Sequence, residues 1–456
     1  MVRRVVQEMR RAAELTPAGR DRHVDLIRAV AIAAVVFGHW LVVYVTRNGS
    51  GLTGRSVLEL VPWTHPLTWI FQVMPLFFLV GGFANAASLT SHLARGGDGT
   101  GWALGRAARL VQPTTVLLCG LAATAFAARS LGAAPATVGT AVWLASIPLW
   151  FLVAYIAVVF LTPLTHALHR RAGLAVPVAL TVLVGADDVA RLGFGVPYVG
   201  PANYLMAWLA VHQLGFAVQD GRLPSRRRVA LPLAAAGLAA LVLLTVAGPY
   251  PVSMVGVTGE RVQNTAPPTL ALLALAVTQT GIALALRDLG NRWLRRPGPW
   301  TAVVAVNSVI MTLFLWHMTA VVAAVVLLYG TGLMPAAAPG SPLWLLLRLP
   351  WLACLAVILA VLVAAFGRFE RRASRPARAE PAGGAWATTL TVAGAAAVVS
   401  GLLGVALAGP SDHGPTGLPW GVLLTYLSGA TLLALVRRHR RPARSDGASS
   451  RLTSGP

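Results

Sequence analysis

Arg28 and His39 are the residues of this chain best suited to chemistry, because both lie inside its first long apolar segment. Ionisable side chains are rare in such segments, since burial in hydrocarbon is costly unless they face a protein interior or a water-filled cavity. Arginine binds phosphate through a planar fork, and histidine is a base near neutral pH. At about 100° per residue, their spacing returns both side chains to one helix face, roughly 16 Å apart along the axis. The pair therefore predicts an anion site and a proton acceptor on the same face.

The composition indicates an integral membrane protein. Hydrophobic residues make up 56% of the 456 residues and charged residues only 11%, and the mean hydropathy is +0.69. A soluble domain of average composition is far less apolar. Apolar runs of spanning or near-spanning length predict an all-α, polytopic transmembrane bundle of about twelve helices. The predicted segments are 25–46, 68–90, 110–129, 142–164, 173–190, 203–219, 229–248, 268–286, 301–329, 343–367, 386–408 and 418–436.

The basic residues predict the orientation of these helices. All 37 are arginines, and most fall in the two tails and in every second loop. Because cytoplasmic loops are enriched in arginine, both termini are expected in the cytoplasm of a multi-pass plasma-membrane protein. The formal charge of +22 is spread over many loops, where orientation and contact with lipid headgroups account for it. This distribution argues against nucleic-acid binding.

The pattern of apolar and polar segments predicts five regions. They are a cytoplasmic basic tail (1–22), a ten-helix membrane core (23–367), a cytoplasmic linker (368–385), two further transmembrane helices (386–436) and a disordered basic tail (437–456). The first tail reads either as an amphipathic helix on the membrane surface or as disordered chain. The long outer loop 249–267 reads either as a lid over an acceptor site or as a flexible connector.

A set of ordered motifs in the core resembles the acyltransferase-3 family of membrane proteins over about residues 20–375. The motifs are Asp25-Leu-Ile-Arg28 to Gly38-His39, Met74-Pro-Leu-Phe-Phe-Leu-Val-Gly-Gly-Phe83, Arg106 and Arg109 before Pro113, Trp150-Phe151-Leu152 with Tyr155, Leu315-Trp316-His317, and Phe369-Glu370-Arg371. The resemblance implies that Arg28 and His39 are essential, that acyl-CoA binds on the cytoplasmic side, and that a hydroxyl on the far side is acylated. One departure is Gly81, which stands where many members have serine.

Acyl transfer from a thioester to an alcohol needs a base to take the hydroxyl proton, which is a role that suits His39. His317 lies at a similar depth in an outward-running helix and is expected to complete the catalytic site. Phosphates of the donor, with acetyl-CoA the foremost candidate, are expected to bind Arg28, Arg106 and Arg109. Supporting roles fall to Asp25, Trp150, Tyr155 and Glu370. No metal is expected, and the acceptor is a surface glycan, a lipid or a secreted metabolite.

Each of these residues also has a plainer interpretation. His39 and His317 could be interior histidines that only pack or bond to a neighbouring helix, and Arg28 could be a boundary residue paired with Asp25. Two carboxylates near the outer end of the fifth helix either orient a sugar hydroxyl or are solvated; they are Asp187 and Asp188. The alternative function is a secondary transporter of an anionic small molecule or lipid, in which the arginine and histidine form an anion site and a proton relay.

The predicted alternation of loops is testable with single cysteines and a membrane-impermeant thiol reagent. Labels on outer loops should react in intact cells, and labels on inner loops should react only after lysis, because the inner loops carry the arginines. The outer positions are Ser50, Gly132, Thr258 and Ser411, and the inner positions are Gly97, Gly221 and Ser374. Labelling of any inner position in intact cells would contradict the twelve-helix alternation.

Overall fold

The fold is that of a helical bundle, since a helix satisfies its own backbone hydrogen bonds and needs no water in an apolar setting. The computed structural model describes residues 2–17, 19–48, 51–335, 337–373, 384–409 and 416–440. Each of the twelve predicted apolar segments contains a helix. Within these described ranges nine helices are long and apolar enough to cross a membrane, or up to ten if one bent pair counts as a single span.

The first part of the chain carries eight helices and one hairpin. They are α1 (Val2–Glu14), α2 (Arg22–Val42), β1 (Val43–Asn48), β2 (Gly51–Ser56), α3 (Val57–Leu60), α4 (Thr68–Phe71), α5 (Met74–Ala94), α6 (Gly99–Ser130), α7 (Pro135–Ser146) and α8 (Leu149–Ala172). The two strands are antiparallel, with Val43 opposite Ser56. The predicted first helix thus ends at Val42 and continues into a hairpin that the apolar pattern did not indicate.

The regular elements of the second part, among its described residues, are all helices. Its helices are α9 (Ala175–Asp188), α10 (Asn203–Gln219), α11 (Arg227–Val246), α12 (Leu270–Ala285), α13 (Arg287–Trp293), α14 (Pro297–Asn307), α15 (Ile310–Ala324), α16 (Pro342–Ala373), α17 (Ala385–Leu407) and α18 (Trp420–His439). Helices α9 and α10 have 14 and 17 residues, fewer than the roughly 20 of a full span. The bent pair is α12 and α13, which meet at 50°.

Two glycines let α5 and α10 cross at backbone contact near the centre of the bundle. A Cβ atom added to Gly82 would lie 2.0 Å from the carbonyl oxygen of His212, and one added to Gly215 would lie 2.2 Å from that of Leu79. Small residues at helix crossings permit this approach in membrane proteins. The crossing brings polar side chains of α5 and α10 together in the core.

The long loop 249–267, which is predicted to lie outside, is packed onto the bundle. Trp69 Nε1 donates to Val252 O at 2.7 Å, and Gln72 Nε2 donates to Met254 O at 2.9 Å. Asp188, which is 1% exposed, accepts from the hydroxyl of Tyr250 at 2.9 Å. Burial and this carboxylate raise the pKa of Tyr250 above its usual value, so the phenol remains a donor. Asp188 is therefore neither a solvated carboxylate nor one free to hold a sugar.

The chain ends differ in detail from the predicted regions. The first tail contains helix α1, which packs against α14, where Trp300 Nε1 donates to Ala13 O at 3.2 Å; its predicted place on the membrane surface stays a prediction. Helix α16 extends to Ala373, inside the predicted linker, and α18 extends to His439, inside the predicted disordered tail. The remainder of that tail, 441–456, lies outside the described residues.

The two last helices pack on the core and contact α6 directly. The hydroxyl of Tyr426 on α18 donates to Val111 O at 3.0 Å, and the Nη2 atom of Arg440 lies 2.8 Å from Asp98 Oδ1. Asp98 also caps the first turn of α6 by accepting from the backbone N–H of Gly101. These contacts anchor the helix that carries Arg106 and Arg109.

Candidate active site

His39 on α2 and His317 on α15 lie against each other in the bundle. Their ring centroids are 5.0 Å apart and their planes make an angle of 61°. The next residue after His39 fixes this crossing, because Trp40 Nε1 donates to His317 O at 3.2 Å. Two side chains far apart in the sequence and similar in depth are thereby brought together.

Both rings use the same nitrogen for a bond to their own helix. The Nδ1 atom of His39 is 2.9 Å from Val35 O, and the Nδ1 atom of His317 is 2.6 Å from Phe314 O. A carbonyl oxygen only accepts, so Nδ1 is the protonated nitrogen in each ring. In the neutral imidazole this leaves a lone pair on Nε2. Neither Nε2 atom has a hydrogen-bond partner among the described residues, so two proton-accepting positions lie side by side.

Asp25 forms an ion pair with Arg20 and not with Arg28. Its carboxylate accepts from Arg20 Nε at 2.6 Å and from Arg20 Nη2 at 2.9 Å. This bonded carboxylate raises the pKa of Arg20 above its usual value. The interpretation of Arg28 as a boundary residue paired with Asp25 is therefore wrong. Arg28 is half-buried and makes no hydrogen bond or ion pair within the described part of the chain.

The three predicted donor-site arginines form a cationic cluster. The charges of Arg28 on α2 and Arg109 on α6 both act on the guanidinium of Arg106. No carboxylate among the described residues acts on Arg106 in the opposite sense. A group of cations without a counter-charge is a site for an anion with several oxygen atoms, such as a phosphate. The structure thus places Arg28, Arg106 and Arg109 together.

Arg106 is held by a buried amide that the sequence motifs did not single out. Its Nε and Nη2 atoms donate to Asn85 Oδ1 at 2.9 Å and 2.6 Å. The Nδ2 atom of Asn85 lies 3.1 Å from His212 Nε2, and both Asn85 and His212 are 0% exposed. The sequence did contain a signal for this residue, because Asn85 is a polar side chain within an apolar helix, shortly after Gly81-Gly82-Phe83.

Glu370 accounts for the start of the helix that carries His317. Its carboxylate accepts from the backbone N–H of Met311 at 3.0 Å and of Thr312 at 2.8 Å, and from the Thr312 hydroxyl at 2.7 Å. Free backbone N–H groups at a helix N-terminus favour such an anion. The predicted helix 301–329 is wrong as a continuous element, because it breaks between Asn307 and Ile310 where this cap begins α15.

Comparison with known proteins adds one decisive observation. A family model described as an acyltransferase domain, the acyltransferase-3 family, matches residues 21–369. The matched region contains α2 to α15 and nearly all of α16 and covers most of the chain. The chain belongs to the acyltransferase-3 family. No curated protein and no solved structure matched it.

Within the family motif, the structure explains why glycine occupies position 81. A Cβ atom added to Gly81 would lie 2.8 Å from both Cε2 and the hydroxyl oxygen of Tyr155. The Tyr155 ring packs on Phe151 and Phe78, with centroids 5.5 Å and 5.6 Å away. The serine that many acyltransferase-3 members carry here would collide with this tyrosine.

Trp150 belongs to the same aromatic cluster. Its ring is 6.4 Å from Phe151, whose ring lies 5.3 Å from Phe314 on α15. Phe314 in turn is 6.2 Å from the ring of His317. Trp150 therefore reaches the histidine pair only through packing, and Tyr155 belongs to the same cluster through Phe151 and Phe78.

The Asn85 bridge, in which the amide of Asn85 bonds to both Arg106 and His212, should be essential to the fold around Arg106. Asn85→Leu keeps the side-chain volume but removes the acceptor from a partly buried cation, so it should lower the free energy of unfolding by about 3 kcal/mol. Asn85→Asp should lower the free energy of unfolding by clearly less. It keeps the acceptor for Arg106, and His212 can donate from Nε2 by moving its proton from Nδ1, which has no partner in the described chain.

Denaturant unfolding of the two variants in nanodiscs measures the difference. Equal losses for Asn85→Leu and Asn85→Asp would contradict the role of the amide oxygen. An Asn85→Leu protein as stable as the parent would contradict the bridge altogether.

Proposed function

We propose that this acyltransferase-3 protein transfers an acyl group from acyl-CoA to a hydroxyl of an extracytoplasmic or membrane-associated acceptor, with His39 as general base. The observation that carries the proposal is the pair of Nε2 atoms on His39 and His317, both aligned by backbone carbonyls and both without a partner among the described residues. Family membership supports the reaction class.

The chemical step needs one proton acceptor and one leaving group. Nε2 of His39 takes the proton of the acceptor hydroxyl as its oxygen attacks the thioester carbonyl. The new C–O bond forms, the C–S bond breaks, and the coenzyme A thiolate leaves and takes the proton that His39 holds. Nε2 of His317, which is 0% exposed, is a second proton acceptor beside the first. Direct transfer of this kind requires no residue to carry the acyl group.

The arginine cluster supplies the donor end of the reaction. Phosphate groups of acyl-CoA would bind Arg28 and Arg109, which have no partner among the described residues, and Arg106, which Asn85 orients. Arg28 and His39 lie on the same face of α2, roughly 16 Å apart along its axis. An acyl-pantetheine arm would extend along this face from the phosphates to the base. Acetyl-CoA is the donor we expect first.

The acceptor would enter from the opposite end of the bundle. His39 lies three residues before the end of α2, after which β1 begins, and the predicted orientation places that end outside the cytoplasm. A glycan, a lipid or a secreted metabolite with a free hydroxyl meets this requirement. The arrangement lets donor and acceptor approach the same imidazole pair from opposite sides.

Separate binding and turnover measurements distinguish the donor site from the base. Arg28→Lys keeps the charge but loses the planar fork, so it should weaken binding of coenzyme A to purified protein by about tenfold or more. His39→Gln can hydrogen-bond but cannot take up a proton near neutral pH, so it should bind coenzyme A normally and lower kcat by about 10²-fold or more. The exposed Arg171→Lys is the matched control and should behave as the parent.

Parent-like turnover in His39→Gln would exclude this residue as the base. Unchanged coenzyme A binding in Arg28→Lys would move the donor phosphates to Arg106 and Arg109. If the parent binds neither coenzyme A nor an acyl thioester, the acyl-CoA proposal fails and the transporter alternative becomes the better account.

A further inference from the structure

A second polar site lies where α2 meets the hairpin and α16 begins. It is a small recess that is partly open to solvent. Four of the ten residues that line it in the described chain are aromatic, and Arg348 on α16 is the only charged one of the ten. The aromatic side chains are Tyr44, Tyr329, Trp344 and Trp351. Such a mixture of ring faces and one cation is typical of ligand sites.

The guanidinium of Arg348 is bonded on one side only. Its Nη1 atom donates to Val43 O at 2.8 Å, and its Cζ atom lies 4.2 Å from the centroid of the Trp344 ring. The Nε and Nη2 atoms are buried and have no acceptor within the described residues. These two atoms form the edge that binds a carboxylate or phosphate through two parallel hydrogen bonds. The unsatisfied edge is thus the one suited to an oxyanion.

The surroundings of Arg348 do not supply that anion. The neighbouring titratable groups that act on it in the described chain are the phenols of Tyr329 and Tyr44, and no carboxylate does so. A half-buried cation without a counter-charge is costly in a membrane protein and marks a functional position. An oxyanion brought by a ligand would satisfy both the charge and the two donors. The donors are fully buried, so side chains that line the recess must shift when the ligand enters.

The recess is close to the histidine pair. Arg348 donates to Val43 O, and Trp351 Nε1 donates to Trp40 O at 3.2 Å. Residues 40 to 43 directly follow His39, so the cation lies beside backbone that is within roughly 6 Å of His39 along the helix axis. A ligand anchored at Arg348 can therefore present another of its groups to the imidazoles.

We propose that this recess binds the carboxylate or phosphate of the acceptor, and so that the acceptor is an anionic, hydroxyl-bearing molecule such as an acidic sugar. This inference rests on the proposed acyl transfer at His39 and adds the chemical class of the acceptor. The anion pairs with the Nε and Nη2 edge of Arg348, and the hydroxyl to be acylated points toward His39. The aromatic walls pack against the apolar face of the sugar ring.

Binding of small probes to the full-length protein in phosphatidylcholine nanodiscs tests this site without turnover. Glucuronate and inorganic phosphate are the anionic probes, and glucose is the neutral match. Calorimetric titration should detect at least one anion with the parent and a response to glucose at least tenfold weaker. Arg348→Lys keeps the charge and can still donate to Val43 O, so it should fold but bind the anion about tenfold or more weakly.

Arg261→Gln is the matched control, because it removes an exposed arginine from the long outer loop and should leave anion binding unchanged. Three results would overturn the proposal: no binding of either anion to the parent, equal binding in Arg348→Lys, or equal binding of glucose and glucuronate. Stabilisation only by phosphatidylglycerol nanodiscs, and not by soluble anions, would assign the site to a lipid headgroup and also overturn it.

Coenzyme A binding on the same samples separates the two proposals. Arg348→Lys should bind coenzyme A as the parent does, because the arginine cluster lies at the other end of α2. If the parent binds coenzyme A but no anion at Arg348, only the acceptor inference fails. If the parent binds the anion but no coenzyme A, the donor side of the proposed function fails instead.

Discussion

The absence of water from the interior of a membrane bundle is the constraint on which this structure depends, because each buried polar group must find a partner in the protein. Most groups do so. Glu370 uses its carboxylate on the first turn of α15, and Asn85 uses both ends of its amide between Arg106 and His212. The groups that stay without a partner among the described residues are therefore informative. They include Nε2 of His317 and one edge of Arg348.

Helix α2 connects these groups into one path. Arg28 lies in the arginine cluster near its start, His39 faces His317 near its end, and the carbonyls that follow His39 accept from Arg348 and Trp351. One face of a single helix thus links a proposed phosphate site, a base and a proposed acceptor site. The neighbouring helices fix its position, since Trp40 bonds to α15 and Gly38 packs against Phe71.

Much of this arrangement was predictable from patterns within single segments. Apolar length predicted a helix in every one of the twelve segments, and the spacing of Arg28 and His39 predicted a shared face. A similar depth in two outward-running helices suggested that His317 lies near His39, and the structure places the rings 5.0 Å apart. Their catalytic roles remain predictions.

The features that sequence reasoning missed depend on partners distant in the chain. The pairing of Asp25 with Arg20, the bridge through Asn85, and the break before Ile310 imposed by Glu370 each need the neighbouring element to be in place. The spacing of residues along the chain does not predict which of several possible side chains will bond to a given group. For the same reason the sequence around Arg348 did not predict that its guanidinium bonds to Val43 O, just after the end of α2.

The most direct test of the account is mass spectrometry of envelope glycans, lipids and secreted compounds from cells that lack this protein. The cells would be complemented with the parent or with His39→Ala at matched amounts in the membrane. The account predicts an acyl ester on an anionic compound that appears with the parent and is absent with His39→Ala. An ester profile that is identical in all strains, or full restoration by the His39 variant, would contradict it.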